Sequence, residues 1–283
     1  MTTDTTASSD TTAEDKPAGP RMDHLALASN RAWDHVIRYC HQLGGRWLGG
    51  PTDIECDPFY FCQVEFRHGT KLEFIEAYPG PGSDFVRRFL DRNGPGPHHI
   101  TFKVTDIEAT MAAARSAGYE IVNEDVSDPD WKEAFLHPKQ SHGIVIQLAQ
   151  PGDEREWEAP PPLPPTDQGD NTTIDCVTHL VADVEAAATL FHDVLAMEDL
   201  GSEDHRLGRR HTLSYGPWTL ALVEPSDGPA RHWLGNRAGR LLQVEMSVDE
   251  LGPIAGLRPV AGGHELPPEI NFGTRLLLKQ NER

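Results

Sequence analysis

Two segments in the first half of this chain are repeated further along it. The segment DHLALA at 23–28 resembles HHITFK at 98–103, and GTKLEFIEA at 69–77 resembles HGIVIQLAQ at 142–150 in residue type. Such self-similarity is typical of one supersecondary unit that a chain uses more than once. The first half is therefore expected to fold as two similar units rather than as one irregular domain.

Polar residues keep their register through both repeats. His24 and His99 are 75 residues apart, and Glu73 and Gln147 are 74 residues apart. Because the side chains of a strand alternate between its two faces, four polar residues at matching positions of four strands can point into one concave surface. Two imidazoles, a carboxylate and an amide oxygen form a credible ligand set for a divalent metal ion. The alternative is four unrelated, half-buried polar residues.

His98 is the residue that could replace His99 in this set. The repeat aligns His98 with Asp23, the neighbour of His24, and strand alternation then assigns His98 to the outward face. The predicted ligands are therefore, in chain order, His24, Glu73, His99 and Gln147.

Each unit reads as a strand, a helix and three further strands, which predicts the α+β class with tandem βαβββ units. The segments of the first unit are His24–Ala28, Arg31–Leu43, Arg46–Leu48, Phe59–Phe66 and Lys71–Ala77. Those of the second unit are His99–Val104, Asp106–Ala117, Glu120–Val122, Glu133–Leu136 and Ile144–Ala149. A short helix, Ser83–Leu90, is predicted between the units, with Ser83 as its N-cap.

The proline-rich segment 151–173 is the clearest boundary, because its proline run favours extended geometry and excludes helix or central strand. It divides a first module, 21–150, from a second module, 174–283, and each is large enough for a core. Residues 1–20 are polar and acidic, and we expect a disordered tail there. The second module repeats the pattern more weakly, in Asp175–Val181, Asp183–Leu195, Thr212–Tyr215, Thr219–Val223, Leu241–Val248 and Thr274–Leu278.

Charge and composition exclude some partners. The formal net charge of −19 argues against nucleic acid, whose phosphates an acidic chain repels. No apolar run approaches the roughly 20 residues that span a bilayer, and the N-terminus lacks a secretory signal, so no membrane partner is expected. The four cysteines form no CxxC pair and no regular framework. This usage favours a reducing, cytoplasmic location.

The first module resembles the vicinal oxygen chelate (glyoxalase/bleomycin resistance/dioxygenase) superfamily, and within it the methylmalonyl-CoA epimerase-like proteins. The resemblance covers about residues 22–150 and rests on MDHLALA, GTKLEFIEAYPGPGSDFVRRFLDRNGPGPHHITFKVTDIEA and AFLHPKQSHGIVIQL. It implies paired βαβββ units that form a glyoxalase-like half-barrel around one divalent metal ion: cobalt, nickel, zinc, manganese or iron. The ligands of such enzymes come from the first and last strands of each unit, which implies His24, Glu73, His99 and Gln147 here.

One position departs from the epimerase pattern. The epimerases have a Glu at the position of Gln147, as ligand and proton acceptor, and a Gln at the position of Glu73. A glutamine can bind metal through its carbonyl oxygen but cannot accept a proton at neutral pH. The carboxylate has thus changed sides of the repeat, and Glu73 and Gln147 are the predicted catalytic residues. A second proton-transfer group could come from a neighbouring strand, from Cys62, Gln63 or Glu65.

The second module resembles a degenerate copy of the same family and opens with VTHLVADVEAAATLFHDVLAM. Its residues at the ligand positions are Cys176, Ala221, Gln243 and Leu277, a set that would hold a divalent ion poorly. Its expected role is packing, dimer mimicry or shielding of the metal site. This set also argues against the extradiol dioxygenases of the superfamily, which carry two His and one Glu in their C-terminal module.

The leading function is a metal-dependent isomerase or epimerase that removes the α-proton of a carbonyl compound or an acyl-CoA thioester. The resemblance points to a substrate such as methylmalonyl-CoA, with glyoxalase-type isomerisation next. Two alternatives stay open. One is a non-catalytic, resistance-type protein that binds small molecules, and the other is an Fe(II) dioxygenase with His24, His99 and Glu73 as its facial triad. The chain could also form a homodimer.

Overall fold

The computed structural model of the chain describes residues 21–50, 59–77, 84–152, 163, 171–252 and 254–281. The predicted tail at 1–20, most of the proline-rich segment 151–173 and the predicted cap Ser83 lie outside these residues. No helix within the described ranges is long and apolar enough to cross a membrane.

The first module consists of two βαβββ units. The first unit contains β1 (Arg21–Ala28), α1 (Ala32–Leu43), β2 (Arg46–Gly49), β3 (Phe59–Glu65) and β4 (Lys71–Ala77), with a 3₁₀ turn at Arg67–Gly69. Helix α2 (Asp84–Asn93) leads to the second unit, which contains β5 (Gly96–Lys103), α3 (Ile107–Ser116), β6 (Ile121–Asp125), β7 (Trp131–Leu136) and β8 (Val145–Pro151). The predicted βαβββ pattern is confirmed in both units.

All strands of this module form one eight-stranded sheet in the order β2-β3-β4-β1-β5-β8-β7-β6. Strands β1 and β5 are antiparallel neighbours at its centre, and each is parallel to the last strand of its own unit, β4 or β8. The order reads the same from either edge once each strand is exchanged for its repeat, so a pseudo-twofold axis relates the units. The first and last strands of both units therefore meet in the middle of the sheet.

The hydrophobic core lies on the face of the sheet that α1 and α3 cover. The central strands contribute four fully buried residues to it: Leu25, Leu27, Leu72 and Phe74. Helix α3 adds Ile107, Met111 and Ala114, the apolar face that its spacing predicts. Asp106 caps this helix, because its Oδ1 accepts the N–H of Ala109 at 2.9 Å. The opposite, concave face remains for polar side chains.

The second module repeats this architecture. Its elements are β9 (Thr172–Val181), α4 (Val184–Thr189), β10 (Glu198–His205), β11 (Gly208–Tyr215), β12 (Trp218–Pro225), α5 (Gly228–Leu234), β13 (Gly239–Val248), β14 (Arg258–Val260), β15 (Gly263–Leu266) and β16 (Leu276–Gln280). The sheet order β10-β11-β12-β9-β13-β16-β15-β14 matches that of the first module, strand for strand. The prediction of two modules with tandem units is confirmed. In the described residues between β13 and β14 there is no helix, so the last unit is reduced.

Five elements of the second module differ from expectation, and three of them, α5, β14 and β15, are absent from the predicted segments. The predicted helix Asp183–Leu195 is observed as α4 followed by a π-helical turn at Leu190–Val194. Strand β10 is absent from the prediction because its sequence, EDLGSEDH, has no alternation of apolar and polar residues. It pairs with β11 at the edge of the sheet, where acidic side chains discourage pairing with another chain.

The two modules share one hydrophobic core and several buried hydrogen bonds. The Nδ2 of Asn271 donates to the hydroxyl of Tyr39 at 2.9 Å, and the hydroxyl of Thr172 donates to the carbonyl of Leu43 at 2.6 Å. Both contacts join one module to the other. The junction between them is therefore an interior contact of the folded chain.

Two glycines let the backbones of the modules touch. A Cβ atom at Gly239 would overlap the carbonyl oxygen of His142, and one at Gly273 (φ +84°) would overlap that of Pro95. We therefore expect Gly239→Ala to lower the free energy of unfolding by about 2–4 kcal/mol, measured by urea denaturation. Gly252→Ala is the control, because nothing lies within 4 Å of a Cβ at that position. Equal stability of the two variants would contradict the close approach.

Candidate metal centre

The four predicted ligands lie on the concave face of the four central strands of the first module. Ala26 lies two residues after His24 on β1, so the two residues share a face of the sheet. Ala26 pairs with Glu73 of β4 on one side and with His99 of β5 on the other. Gln147 lies on β8, the next strand beyond β5. The side chains are buried, with exposures of 1% for His24, 7% for Glu73, 5% for His99 and 7% for Gln147. The sheet therefore brings all four predicted residues onto one surface.

Three of them form a compact group. The Nε2 of His24 is 3.5 Å from one oxygen of Glu73, and the Nε2 of His99 is 3.7 Å from the other. One ligand atom from each residue lies within 4.8 Å of the others. The carboxylate thus faces an imidazole on each side, an arrangement that suits a shared cation.

The state of His99 fits a metal ligand. Its Nε2 is buried and has no hydrogen-bond partner among the described residues. Burial lowers the pKa of His99 well below its ordinary value, and the neighbouring His98 and His24 lower it further. The imidazole is therefore neutral, and in the tautomer that donates from Nδ1 to His98 its Nε2 offers a lone pair on the side of Glu73. A buried nitrogen without a partner is costly, and a bound cation would satisfy it.

Asp23 holds the other imidazole in place. Its Oδ2 accepts a hydrogen bond from Nδ1 of His24 at 2.8 Å, which leaves Nε2 for the concave face. Lys71 and Lys103 each lie 3.3 Å from Oδ1 of Asp23. Burial alone would raise the pKa of Asp23, but the hydrogen bond from His24 and the positive charges of Lys71 and Lys103 hold it far below its usual range. The carboxylate is therefore ionised, as in carboxylate–histidine–metal sites.

We expect Asp23→Asn to weaken divalent-metal binding about 10–100-fold, because partners of this kind fix the tautomer and basicity of the ligand imidazole. Titration of metal-free protein with zinc or cobalt in a calorimeter measures the change. Asp34→Asn is the matched control, since Asp34 pairs with Arg31 on the surface of α1. Unchanged affinity in Asp23→Asn would show that this contact does not support a ligand.

His98 is not in the compact group, but its predicted outward orientation is wrong. The register shifts between the pairs Ala26–His99 and Leu27–Pro97, so His98 is the extra residue of a β-bulge. A bulge interrupts strand alternation, and the neighbours of a bulge no longer take opposite faces. The ring of His98 packs on α2, 4.7 Å from the ring of Phe89, and its Nδ1 is 2.8 Å from Nδ1 of His99. Asp23 is the equivalent bulge residue of β1.

Gln147 connects the group to a second carboxylate. Its Oε1 accepts from the hydroxyl of Thr101 at 2.6 Å, and that hydroxyl is 2.8 Å from Nε2 of His24. Its Nε2 donates to Glu133 at 2.8 Å. The reverse amide orientation would place two acceptors together, so these contacts fix which atom is oxygen. The amide oxygen of Gln147 therefore points toward the histidines.

Glu133 is a candidate functional residue that the predicted site does not include. It lies on β7, half-buried, and also accepts the indole N–H of Trp131 at 3.0 Å. Its position follows from the strand register, because Phe135 pairs with Gln147 and a residue two positions away on β7 shares its face.

The three candidates on β3 have different surroundings. Gln63 faces the group, and its Nε2 donates to Glu73 at 2.9 Å. Cys62 is buried in the hydrophobic core, and burial raises the pKa of its thiol to about 12. Glu65 forms an ion pair with Arg46. None of these three adds a free carboxylate beside Glu73.

The registers of the second module identify its corresponding positions. Thr178 of β9 pairs with Ala221 of β12 and with Gln243 of β13, as Ala26 pairs with Glu73 and His99. The same comparison places Cys176 at the position of His24 and Leu277 at that of Gln147. Within the described ranges, His24, Glu73 and His99 are the one group of acidic, His or Cys residues with metal-site spacing.

Comparison with known proteins agrees with this architecture. Residues 23–135 match the model of the Glyoxalase/Bleomycin resistance protein/Dioxygenase superfamily. Ethylmalonyl-CoA/methylmalonyl-CoA epimerase of Cereibacter sphaeroides is 29% identical over 136 residues, which are 46% of this chain and 97% of that protein. The family model thus matches residues of the first module.

Two solved structures resemble nearly the whole chain. A hypothetical protein from Staphylococcus aureus has a TM-score of 0.62 at 10% identity, covering 93% of this chain and 100% of that chain. A xylose isomerase-like TIM barrel/4-hydroxyphenylpyruvate dioxygenase fusion protein has a TM-score of 0.62 at 12% identity, covering 94% of this chain and 50% of that chain. These likenesses establish the two-module fold.

Proposed function

We propose that this chain is a divalent-metal-dependent isomerase or epimerase. It moves the α-proton of a carbonyl compound or an acyl-CoA thioester. Its first module belongs to the glyoxalase/bleomycin resistance protein/dioxygenase superfamily. The observation that carries the proposal is the buried group of His24, Glu73 and His99, with both Nε2 atoms turned toward one carboxylate. The similarity of this module to an ethylmalonyl-CoA/methylmalonyl-CoA epimerase supports the substrate class.

The residues that would hold the ion are His24, Glu73 and His99, with Gln147 as the fourth. An amide oxygen has two lone pairs, so Gln147 can accept from Thr101 and still bind a cation. A bound cobalt, nickel, zinc, manganese or iron ion would supply a Lewis acid that polarises a carbonyl oxygen and makes the neighbouring C–H more acidic. Removal of the α-proton would then require a base within reach of the α-carbon.

Glu133 is the base in this proposal. Gln147 holds one of its oxygens at 2.8 Å and leaves the other to take the proton from carbon. Glu73 lies on the other side of the central pair β1 and β5. With a proton taken up from solvent, its carboxyl would protonate the opposite face of the carbon, and exchange with solvent would return both carboxyls to their starting states. The role of Gln147 is thereby to position the base, since an amide cannot accept the proton itself.

Hydrogen exchange tests this function. Protein loaded with cobalt or nickel is incubated in D₂O with methylmalonyl-CoA, other acyl-CoA thioesters and α-hydroxy or α-keto acids. We expect metal-dependent replacement of the α-hydrogen by deuterium, and its loss in the variant His24→Ala/His99→Ala. Absence of exchange with every substrate would overturn the proposal, and retained metal without exchange would favour a binding protein instead.

A second candidate is an Fe(II) oxygenase. The same three residues, two His and one Glu, have the composition of the facial triad that non-haem iron oxygenases use. Oxygen consumption that requires Fe(II) and an added organic acid would support this candidate. Its absence, together with deuterium exchange, would favour the isomerase.

Two further proposals concern location and association. All described cysteines, Cys40, Cys62 and Cys176, are buried free thiols, which supports a reducing, cytoplasmic compartment. We also propose that the second module takes the place that a partner subunit would take. A homodimer of whole chains is a separate prediction, and light scattering would test it.

A further inference from the structure

The concave face of the second module encloses a cavity of about 240 Å³. Its floor contains Ala221, Gln243 and Leu277, which occupy three of the four ligand positions of the first module. Side chains of β11 and β15 and the segment 260–263 close its sides. Pockets for drug-sized ligands measure roughly 300–1,000 Å³, so this cavity suits a smaller molecule.

Arg210 of β11 lines this cavity. Its Nη2 is 4.0 Å from the sulfur of Cys176, the residue at the position of His24. Its Nη1 is 3.7 Å from the exposed carboxylate of Glu203, while its Nε is buried and has no hydrogen-bond partner in the described part of the chain. The guanidinium therefore sets a permanent positive charge beside the position that corresponds to a metal ligand.

The acceptors on the floor already have donors. The Oε1 of Glu245 accepts from Gln243 at 3.1 Å and from Thr178 at 3.4 Å, and its Oε2 lies 3.3 Å from Nζ of Lys279. The Oε1 of Gln243 accepts from Arg275 at 2.9 Å. The negative charge of Glu245 is thus matched by Lys279 before any ligand enters.

Hydrogen-bond donors outnumber free acceptors in the lining of this cavity. Besides Nε of Arg210, which can only donate, the Nδ1 of His264 is buried without a partner among the described residues and can donate in one of its tautomers. The charged lining consists of Arg206, Arg210 and Lys279 against Glu245, in a chain whose net charge is −19. A molecule that satisfies this cavity must bring acceptor oxygens and negative charge.

We propose that the second module binds a small organic oxyanion without metal, and that the guanidinium of Arg210 receives its carboxylate or phosphate oxygens. An arginine fork can donate two parallel hydrogen bonds to either group. In the first module a bound metal ion would hold a substrate oxygen, and in the second a guanidinium would do so from beside Cys176, which occupies the position of His24. This site is separate from the isomerase site and does not depend on its function.

Calorimetric titration of EDTA-treated full-length protein tests the site, with malonate in one arm and inorganic phosphate in the other. We expect saturable binding in at least one arm, and the preferred arm identifies the anion. Arg210→Gln should weaken this binding by about 10-fold or more, because a charge-assisted bond is lost. Arg210→Lys should retain part of it, since the charge stays and the fork is lost.

Arg209→Gln is the matched control. Arg209 is the neighbouring residue on β11, and it pairs with Glu185 away from the cavity. It should bind as the parent does, and so should His24→Ala, which alters only the first module. Binding lost in His24→Ala, unchanged in Arg210→Gln, or undetectable in both arms at about 10 mM anion would overturn the proposal.

Discussion

Exchange of a substrate's α-hydrogen with solvent is expected to slow by about 10²–10⁴-fold when Glu133 is replaced by glutamine. The substitution keeps the size of the side chain and its contact with Gln147 but removes the group that accepts a proton. Metal content should stay that of the parent, because Glu133 is not in the compact group with His24. The measurement is deuterium incorporation into the acyl-CoA thioester, followed by mass spectrometry.

Glu124→Gln provides the control for this experiment. Glu124 lies on β6 in the same module and pairs with Arg115 at the surface. Its variant should exchange at the parent rate. If Glu133→Gln exchanged within about twofold of the parent, general-base catalysis by Glu133 would be excluded, since such catalysis contributes about 10²–10⁴-fold.

The stability of the chain is expected to fall in acid because of His35, and His35→Phe should remove part of that fall. His35 is fully buried at the module junction, and its ring stacks on Phe74 at 4.9 Å and contacts Phe272 at 3.9 Å. Both of its nitrogens lack partners among the described residues. Burial, followed by the charges of Arg38 and Arg31, lowers the pKa of His35 to about 3.

The sign follows from where the proton binds. Below pH 6.5 the unfolded chain protonates His35, whereas the folded chain does not until about pH 3. The unfolded state therefore binds more protons in this range, and the free energy of unfolding falls by about 1.4 kcal/mol per pH unit for this group. Burial likewise lowers the pKa of His98 and of His179 to about 4. The unfolding free energy of the parent protein therefore depends on pH more steeply than His35 alone would cause.

His35→Phe keeps a ring in the same place and cannot be protonated. We expect its unfolding free energy, measured by urea titration at pH 6, 5 and 4, to fall less steeply than that of the parent by about 1 kcal/mol per pH unit. At pH 7 it should be as stable as the parent or more so, because two unpartnered nitrogens are removed. His232→Asn, on the exposed side of α5, should keep the parent slope. A parallel slope in His35→Phe would refute this account of acid lability.

Much of the first module was predictable from local patterns. The strand Lys71–Ala77 is observed with the predicted bounds, and α1 differs from Arg31–Leu43 by one residue. Both segments combine a clear periodicity with flanking glycines or caps, so neighbouring elements had little influence on their limits. The repeat then predicted which polar residues meet. The spacing between equivalent residues of the two units can be read from the sequence without the strand order of the sheet.

What the sequence could not predict depends on pairing between strands. The orientation of His98 was wrong because one extra residue in β5 relative to β1 appears only when the two strands are paired. Glu133 could be placed beside Gln147 only from the register of β7 on β8. The polar strand β10 has no apolar alternation at all, and its pairing with β11 defines it.

Metal analysis of freshly purified, untagged protein tests the central claim most directly. Mass spectrometry should find about one divalent ion per chain, as expected for a site with one ligand set. That ion should be lost in His24→Ala and in His99→Ala but retained in Cys176→Ala, which changes the corresponding position of the second module. Protein that folds and yet contains no divalent metal, or that keeps it in both histidine variants, would contradict the assignment of His24, Glu73 and His99.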